Sequence, residues 1–134
     1  MRFLFRLLVV ATVLIGFSYH IFAHSKKAWI VPDETKEIKN PVKATKDSLD
    51  RGKKLYETNC IQCHGEKGDG KGSLAETLET KPANFTDTHM MHMMTDGEIF
   101  WKISKGRGIM QSWETVLSEK ERWDLVNYIK TFAK

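Results

Sequence analysis

Five consecutive residues, Cys60-Ile61-Gln62-Cys63-His64, carry the most specific chemistry in this 134-residue chain. Two thiols three residues apart on a helical turn share one face. They can reach the two vinyl groups of a single porphyrin and join it through thioether bonds. The histidine directly after the second thiol can then supply a proximal nitrogen to the iron. C-x-x-C-H is accordingly the attachment pattern of a c-type haem. Three other readings exist. A C-x-x-C pair can be half of a zinc site, but structural zinc takes four ligands. This chain has two cysteines, and no H-x₃₋₅-H pair follows. A thioredoxin-like redox pair belongs in a βαβ pattern, and no series of strands is apparent. A chance occurrence is the third.

The elements that must position these residues read as helices. Leu49, Gly52, Tyr56 and Cys60 recur at helical spacing, so a helix is expected from near Asp47 or Ser48 to the Cys60 turn. A glycine inside a helix costs about 1 kcal/mol against alanine. Close approach of another helix would account for Gly52. Residues 65–72 hold four glycines and read as a loop. Ser73-Leu74-Ala75-Glu76 has the form of a capping box and predicts a short helix. Thr95 with Glu98 forms a second box, ahead of the stripe Ile99, Phe100 and Ile103, with a stop at Gly106. Ser118 with Glu121 forms a third, ahead of Leu125, Val126, Ile129 and Phe132. Between them His89, Met90, Met91, His92, Met93 and Met94 cluster. Thioethers and imidazoles can hold copper. Methionines also fill gaps in cores, and packing is the simpler account.

The chain has 21 Lys and Arg against 17 Asp and Glu, and setting aside Arg2 and Arg6 leaves 19 against 17. No concentrated basic face emerges, which argues against nucleic-acid binding. Residues 1–23 open with Arg2 and Arg6 and continue through an almost unbroken apolar run over 7–17. They read as a membrane-directed helix, either a signal anchor spanning 7–23 or a signal peptide cut after Ala23. Either sends the rest of the chain out of the cytoplasm, to the periplasmic side. Residues 24–46 hold two of the three prolines and no sustained period, and read as an extended linker or an arm lying on the domain surface.

Residues 47–134 resemble the class I c-type cytochromes, the monohaem cytochrome c family. The motifs that carry the resemblance are Cys60-Ile61-Gln62-Cys63-His64, Gly52 with Tyr56, Leu125 with Tyr128, and the segment Arg107-Gly108-Ile109-Met110. It implies an all-α cytochrome c fold whose helices wrap one covalently bound haem c. It implies that the Gly52 helix crosses the Leu125–Tyr128 helix. In the family a proline carbonyl accepts the free ring N–H of the haem histidine, and Pro82 matches it. In the family a methionine from a distal loop is the sixth iron ligand, and Met110, 46 residues after His64, matches it. The family usually has proline directly after this methionine; this chain has Gln111.

A six-coordinate His64/Met110 iron has no open position for a substrate but can change oxidation state, and thioether sulfur favours the reduced metal. The resemblance therefore implies a one-electron carrier in a respiratory or related chain. Such a protein is not an enzyme in itself, though it can be the electron-transfer subunit of an oxidoreductase. Redox proteins, membrane complexes or soluble donors and acceptors, would be its partners. The alternative is a haem enzyme or small-ligand sensor in which the methionine dissociates.

Overall fold

A computed structural model describes residues 29–133. The membrane-directed helix expected over 1–23 lies outside the described residues. The chain divides into two units, Met1–Ile30 and Val31–Lys134. Every helix among the described residues lies in the second. These are α1 (Lys46–Asn59), α2 (Ile61–His64), α3 (Thr88–Met93), α4 (Asp96–Lys105) and α5 (Glu119–Ile129). Single 3-10 turns occupy Asp33–Glu37, Ala75–Thr77 and Lys130–Phe132. No strand occurs among the described residues, and none of their helices is long and apolar enough to cross a membrane.

The expected crossing of α1 and α5 is the fold's main joint. A Cβ on Gly52 would lie 2.2 Å from Asp124 O and 2.8 Å from Tyr128 Cβ, so only a residue without a side chain lets the helices approach this closely. Tyr56, Leu125, Val126 and Ile129 are buried at this contact with Phe85, Met91, Ile99, Ile103, Leu117 and Trp123.

Beside Gly52 the joint is polar and fully satisfied. The buried Asp124 carboxylate accepts from Ser48 Oγ at 2.6 Å and from Arg51 Nε and Nη2 at 2.8 and 3.1 Å. Lys120 Nζ adds a bond at 3.0 Å. Burial alone would raise the Asp124 pKa, but the bonds from Arg51, Ser48 and Lys120 outweigh it and hold the carboxyl below its ordinary value. A carboxyl with a depressed folded pKa contributes stability above its unfolded pKa of about 3.9 and loses it as pH falls through the folded value. We expect the unfolding free energy to drop as pH is lowered below about 4, and Asp124→Asn to flatten that dependence while costing about 2–4 kcal/mol at neutral pH. Denaturant titrations of both proteins at several pH values check this. Equal acid sensitivity would remove Asp124 as its source.

Two of the three capping boxes form as expected. Thr95 Oγ1 accepts from Glu98 N at 3.2 Å while Glu98 Oε2 accepts from Thr95 N at 2.8 Å. Ser118 and Glu121 repeat the exchange at 3.3 and 2.8 Å. The third does not form. Ser73 starts no helix, and only the turn Ala75–Thr77 follows, without a side-chain cap. The backbone there is committed elsewhere: Leu74 N donates to Gln62 O at 2.8 Å and Gly72 N to Cys63 O at 3.1 Å.

The stretch expected as an extended linker or a surface arm, 24–46, belongs from Val31 onward to the helical unit. Its turn Asp33–Glu37 buries Thr35 against α4, where a Cβ on Gly97 would lie 2.0 Å from Thr35 O. Asn40 Nδ2 donates to Asn127 Oδ1 at 2.9 Å, and Asn127 Nδ2 to Val42 O at 3.0 Å. These bonds to the single Asn127 amide on α5 make 31–45 a strap along the helices, the surface arm of the two expected readings rather than a free tether.

Candidate functional site

The Cys60–His64 turn is built by a near-break between two helices. α1 ends at Asn59, and Cys60 caps it with its N–H on Tyr56 O. The chain resumes as the single turn α2, with Cys63 N and His64 N both donating to Cys60 O at 3.2 and 2.9 Å. That turn places Cys60 and Cys63 one above the other, as the sequence spacing required. Both are half-buried free thiols. Burial, with Cys63 nearby, pushes the Cys60 thiol up to about 12. A thiol so far from ionising is unlike the activated thiolate of a redox C-x-x-C pair.

The loop after His64 wraps back onto α2. Gly70 N donates to His64 O at 2.8 Å, and Tyr56 Oη donates to Gly65 O at 2.7 Å. Gly65, Gly68 and Gly70 all have positive φ. At Gly72 a Cβ would meet Gln62 O at 2.3 Å, so the loop packs backbone against backbone.

His64 is held from the far side by the 82–85 segment. Its Nδ1 lies 3.2 Å from Ala83 O, and its ring stacks on Phe85 with centroids 4.6 Å apart at 16°. The acceptor is thus Ala83, one residue beyond the expected Pro82. The reason lies in how the segment is tied: Phe85 N donates to Gly68 O at 2.6 Å, and Gly70 packs against Pro82 O and Ala83 O. A ring N–H held by a backbone carbonyl fixes the tautomer and leaves Nε2 as the ligating nitrogen. Burial lowers the His64 pKa and the Ala83 bond offsets part of this; the net lowering favours the neutral imidazole, the form that can bind a metal. Two free thiols on one turn beside an oriented, neutral imidazole fit a c-type haem as a donor set. Among the described residues no group of three or more His, Cys, Asp or Glu is placed to hold a metal ion.

Met110 sits half-buried between Gly106 and Gly108 on one side and Ser112 on the other. Its backbone pairs with Arg107 in both directions, at 2.8 and 3.1 Å. The loop closes on Gly106, where a Cβ would lie 2.3 Å from Met110 O.

The methionine and histidine cluster is dispersed. Met91 enters the core, Met93 is 64% exposed, and Met94 Sδ takes a bond from Lys102 Nζ at 3.1 Å. His89 and His92 are exposed. Sequence reasoning did not single out Ala83 or Phe85 as partners of His64. A carbonyl leaves no trace in residue type, but Phe85, the only aromatic between His64 and α3, was a usable signal.

The helical unit has counterparts among known proteins. Residues 47–129 match the family described as cytochrome c oxidase, cbb3-type, subunit III. The cbb3-type cytochrome c oxidase subunit FixP of Bradyrhizobium diazoefficiens is 28% identical over 102 residues, covering 70% of this chain and 33% of that protein. A cytochrome c-553-like protein of Synechocystis is 29% identical over 90 residues, covering 67% of this chain and 74% of that protein. Among solved structures, a chain of the Kuenenia stuttgartiensis reducing HAO-like protein complex Kustc0457/Kustc0458 superposes with TM-score 0.64 at 28% identity, over 70% of this chain and 47% of that one. The KustC0563 c-type cytochrome gives 0.55 at 30% identity, over 62% and 98%. The match thus spans about a third of FixP and about half of the Kustc0457/Kustc0458 chain.

Proposed function

We propose that this chain, which belongs to the c-type cytochrome family described as cytochrome c oxidase, cbb3-type, subunit III, is a one-electron carrier with His64 and Met110 as axial ligands. A covalently bound c-type haem is the cofactor of that family. When bound, it supplies a one-electron iron couple. The protein's residues do the rest. Cys60 and Cys63 hold the group through thioethers, which prevents its loss outside the cytoplasm. His64 presents Nε2, aimed by the Ala83 carbonyl at 3.2 Å and the Phe85 ring. That oriented imidazole beside two free thiols is the observation that carries the reading. Met110 supplies a thioether, which stabilises the reduced metal. Two protein ligands leave no position for a substrate, and so favour electron passage over chemistry on a bound molecule.

Redox proteins are the partners this reading requires, met through brief encounters over small interfaces. The relation to an oxidase subunit favours a membrane respiratory complex among them. The working location is extracytoplasmic, with residues 7–23 as anchor or, if cut after Ala23, as leader. An anchored carrier would raise its effective concentration near such complexes.

The test is an absorption spectrum of protein made in cells able to attach c-type haem, recorded oxidised and reduced on membrane and soluble fractions. Sharp reduced bands that survive denaturation are expected, and Cys63→Ala should lose most of its covalently retained haem. Colourless parent protein would overturn the reading. Coloured protein that takes up carbon monoxide at neutral pH as readily as a five-coordinate haem would remove Met110 as a firm ligand and favour the sensor or enzyme alternative.

A further inference from the structure

We infer that Ser112 is a positioning residue for Met110, its hydroxyl latching the 106–118 loop onto the end of α4. The inference rests on the reading of Met110 as an axial ligand. The last carbonyls of a helix have no partner within the helix. In α4, Lys102 O accepts from Gly106 N at 3.0 Å, Ile103 O from Trp113 N at 3.2 Å, and Ser104 O from Glu114 N at 3.2 Å. Ser112 Oγ donates to the same Ser104 O at 2.7 Å. The loop is therefore the cap of α4, and Met110 hangs between its two points of attachment, Gly106 and Ser112.

Most of these ties are backbone bonds that any residue would make. Two ties depend on the side chains of Glu114 and Ser112. The Lys105–Glu114 ion pair at 2.8 Å has both side chains more than a third exposed, so it contributes little. Ser112 Oγ is half-buried and bonds the carbonyl of Ser104, a residue whose hydroxyl is held from α5. Arg122 Nη1 donates to Ser104 Oγ, which donates in turn to Phe100 O at 2.8 Å, while the Arg122 guanidinium lies 4.8 Å from the Phe100 ring centroid. At the loop's tip nothing lies within 4 Å of the Gly108 Cβ position, and Ile109 is 68% exposed. Gln111 lacks the fixed φ that a proline would bring to the same place. The Ser112 latch then adds, next to the backbone bonds, stiffness that holds a methionine sulfur in position. Losing one neutral hydrogen bond that favours the closed loop shifts a two-state equilibrium about five- to tenfold toward the open state.

The test compares Ser112→Val with Ser112→Thr in haem-loaded protein. The two replacements have the same shape and differ in the hydroxyl. The ferrous proteins are mixed with carbon monoxide at neutral pH, and midpoint potentials are measured on the same samples. The valine variant should bind carbon monoxide about five- to tenfold faster than the parent and show a lower potential. The threonine variant should keep the parent values. Valine and threonine variants that agree in both measurements would overturn the inference, and Ser112→Ala replaces valine if that variant loses its helical circular dichroism. Met110→Ala run alongside separates the two levels. If it leaves carbon monoxide binding and potential unchanged, the ligand assignment fails and the inference with it. If it changes both while valine and threonine coincide, only the role of Ser112 fails.

Discussion

Gly52→Val should leave the haem-loaded protein mostly unfolded in concentrations of urea that the parent tolerates, with a loss of about 4 kcal/mol or more. The first added carbon alone would sit 2.2 Å from Asp124 O and 2.8 Å from Asp124 C. Those are backbone atoms in the middle of α5 and cannot swing aside as a side-chain end could. The helices would have to part by more than 1 Å. Separation would stretch the 2.6 Å Ser48–Asp124 bond and the two Arg51–Asp124 bonds, leaving a buried carboxylate poorly paired. It would also open the packing of Tyr56 against Tyr128 and Phe132, whose ring centroids lie 5.5 and 5.2 Å from it. A domain of this size has about 5–15 kcal/mol in total, so one such change consumes much of it. Gly52→Ala, with one carbon, should fall between. An unfolding free energy for Gly52→Val, from urea titration, within about 0.5 kcal/mol of the parent would mean that the crossing is looser than described.

Met110→Ala should leave the fold intact and lower the midpoint potential by roughly 0.2 V, a fraction of the ~0.8 V over which axial ligands set haem potentials. Alanine keeps the backbone pairing with Arg107 at 2.8 and 3.1 Å, and Met110 is only half-buried, so little packing is lost. What goes is the thioether that favours the reduced metal. Without it the reduced protein should take up carbon monoxide rapidly at neutral pH. Redox titration followed by absorbance measures the first effect, and mixing with the gas measures the second. A potential unchanged within about 0.03 V would reject Met110 and send the search to the 89–94 cluster. There Met90 and Met94 are the half-buried methionines.

Three features of this protein could be read without coordinates because each depends on near neighbours in the chain. Cys60, Cys63 and His64 share a turn whatever surrounds them. Thr95 with Glu98 and Ser118 with Glu121 cap their helices through atoms three residues apart. Gly52 announced a close helix contact because a glycine there has a local cost that only a contact offsets.

Other features turned on which distant backbone groups were already engaged. Ser73 has the same pattern as Ser118, yet its neighbour Leu74 spends its N–H on Gln62 O, so no helix starts. Pro82 and Ala83 are adjacent carbonyls that residue type cannot rank. The bond from Phe85 N to Gly68 O sets which of them meets His64. Residues 31–45 suit a linker or a surface arm equally by composition, and the Asn127 amide on α5 is what binds them as an arm.

The amino-acid order alone therefore determined the attachment turn, the helix starts with free amides, and the glycine at the crossing. Only the tertiary structure decided the partner of His64, the path of the strap and the anchoring of the Met110 loop. Those depend on carbonyls, which every residue carries alike, and on whether folding has left them unpaired.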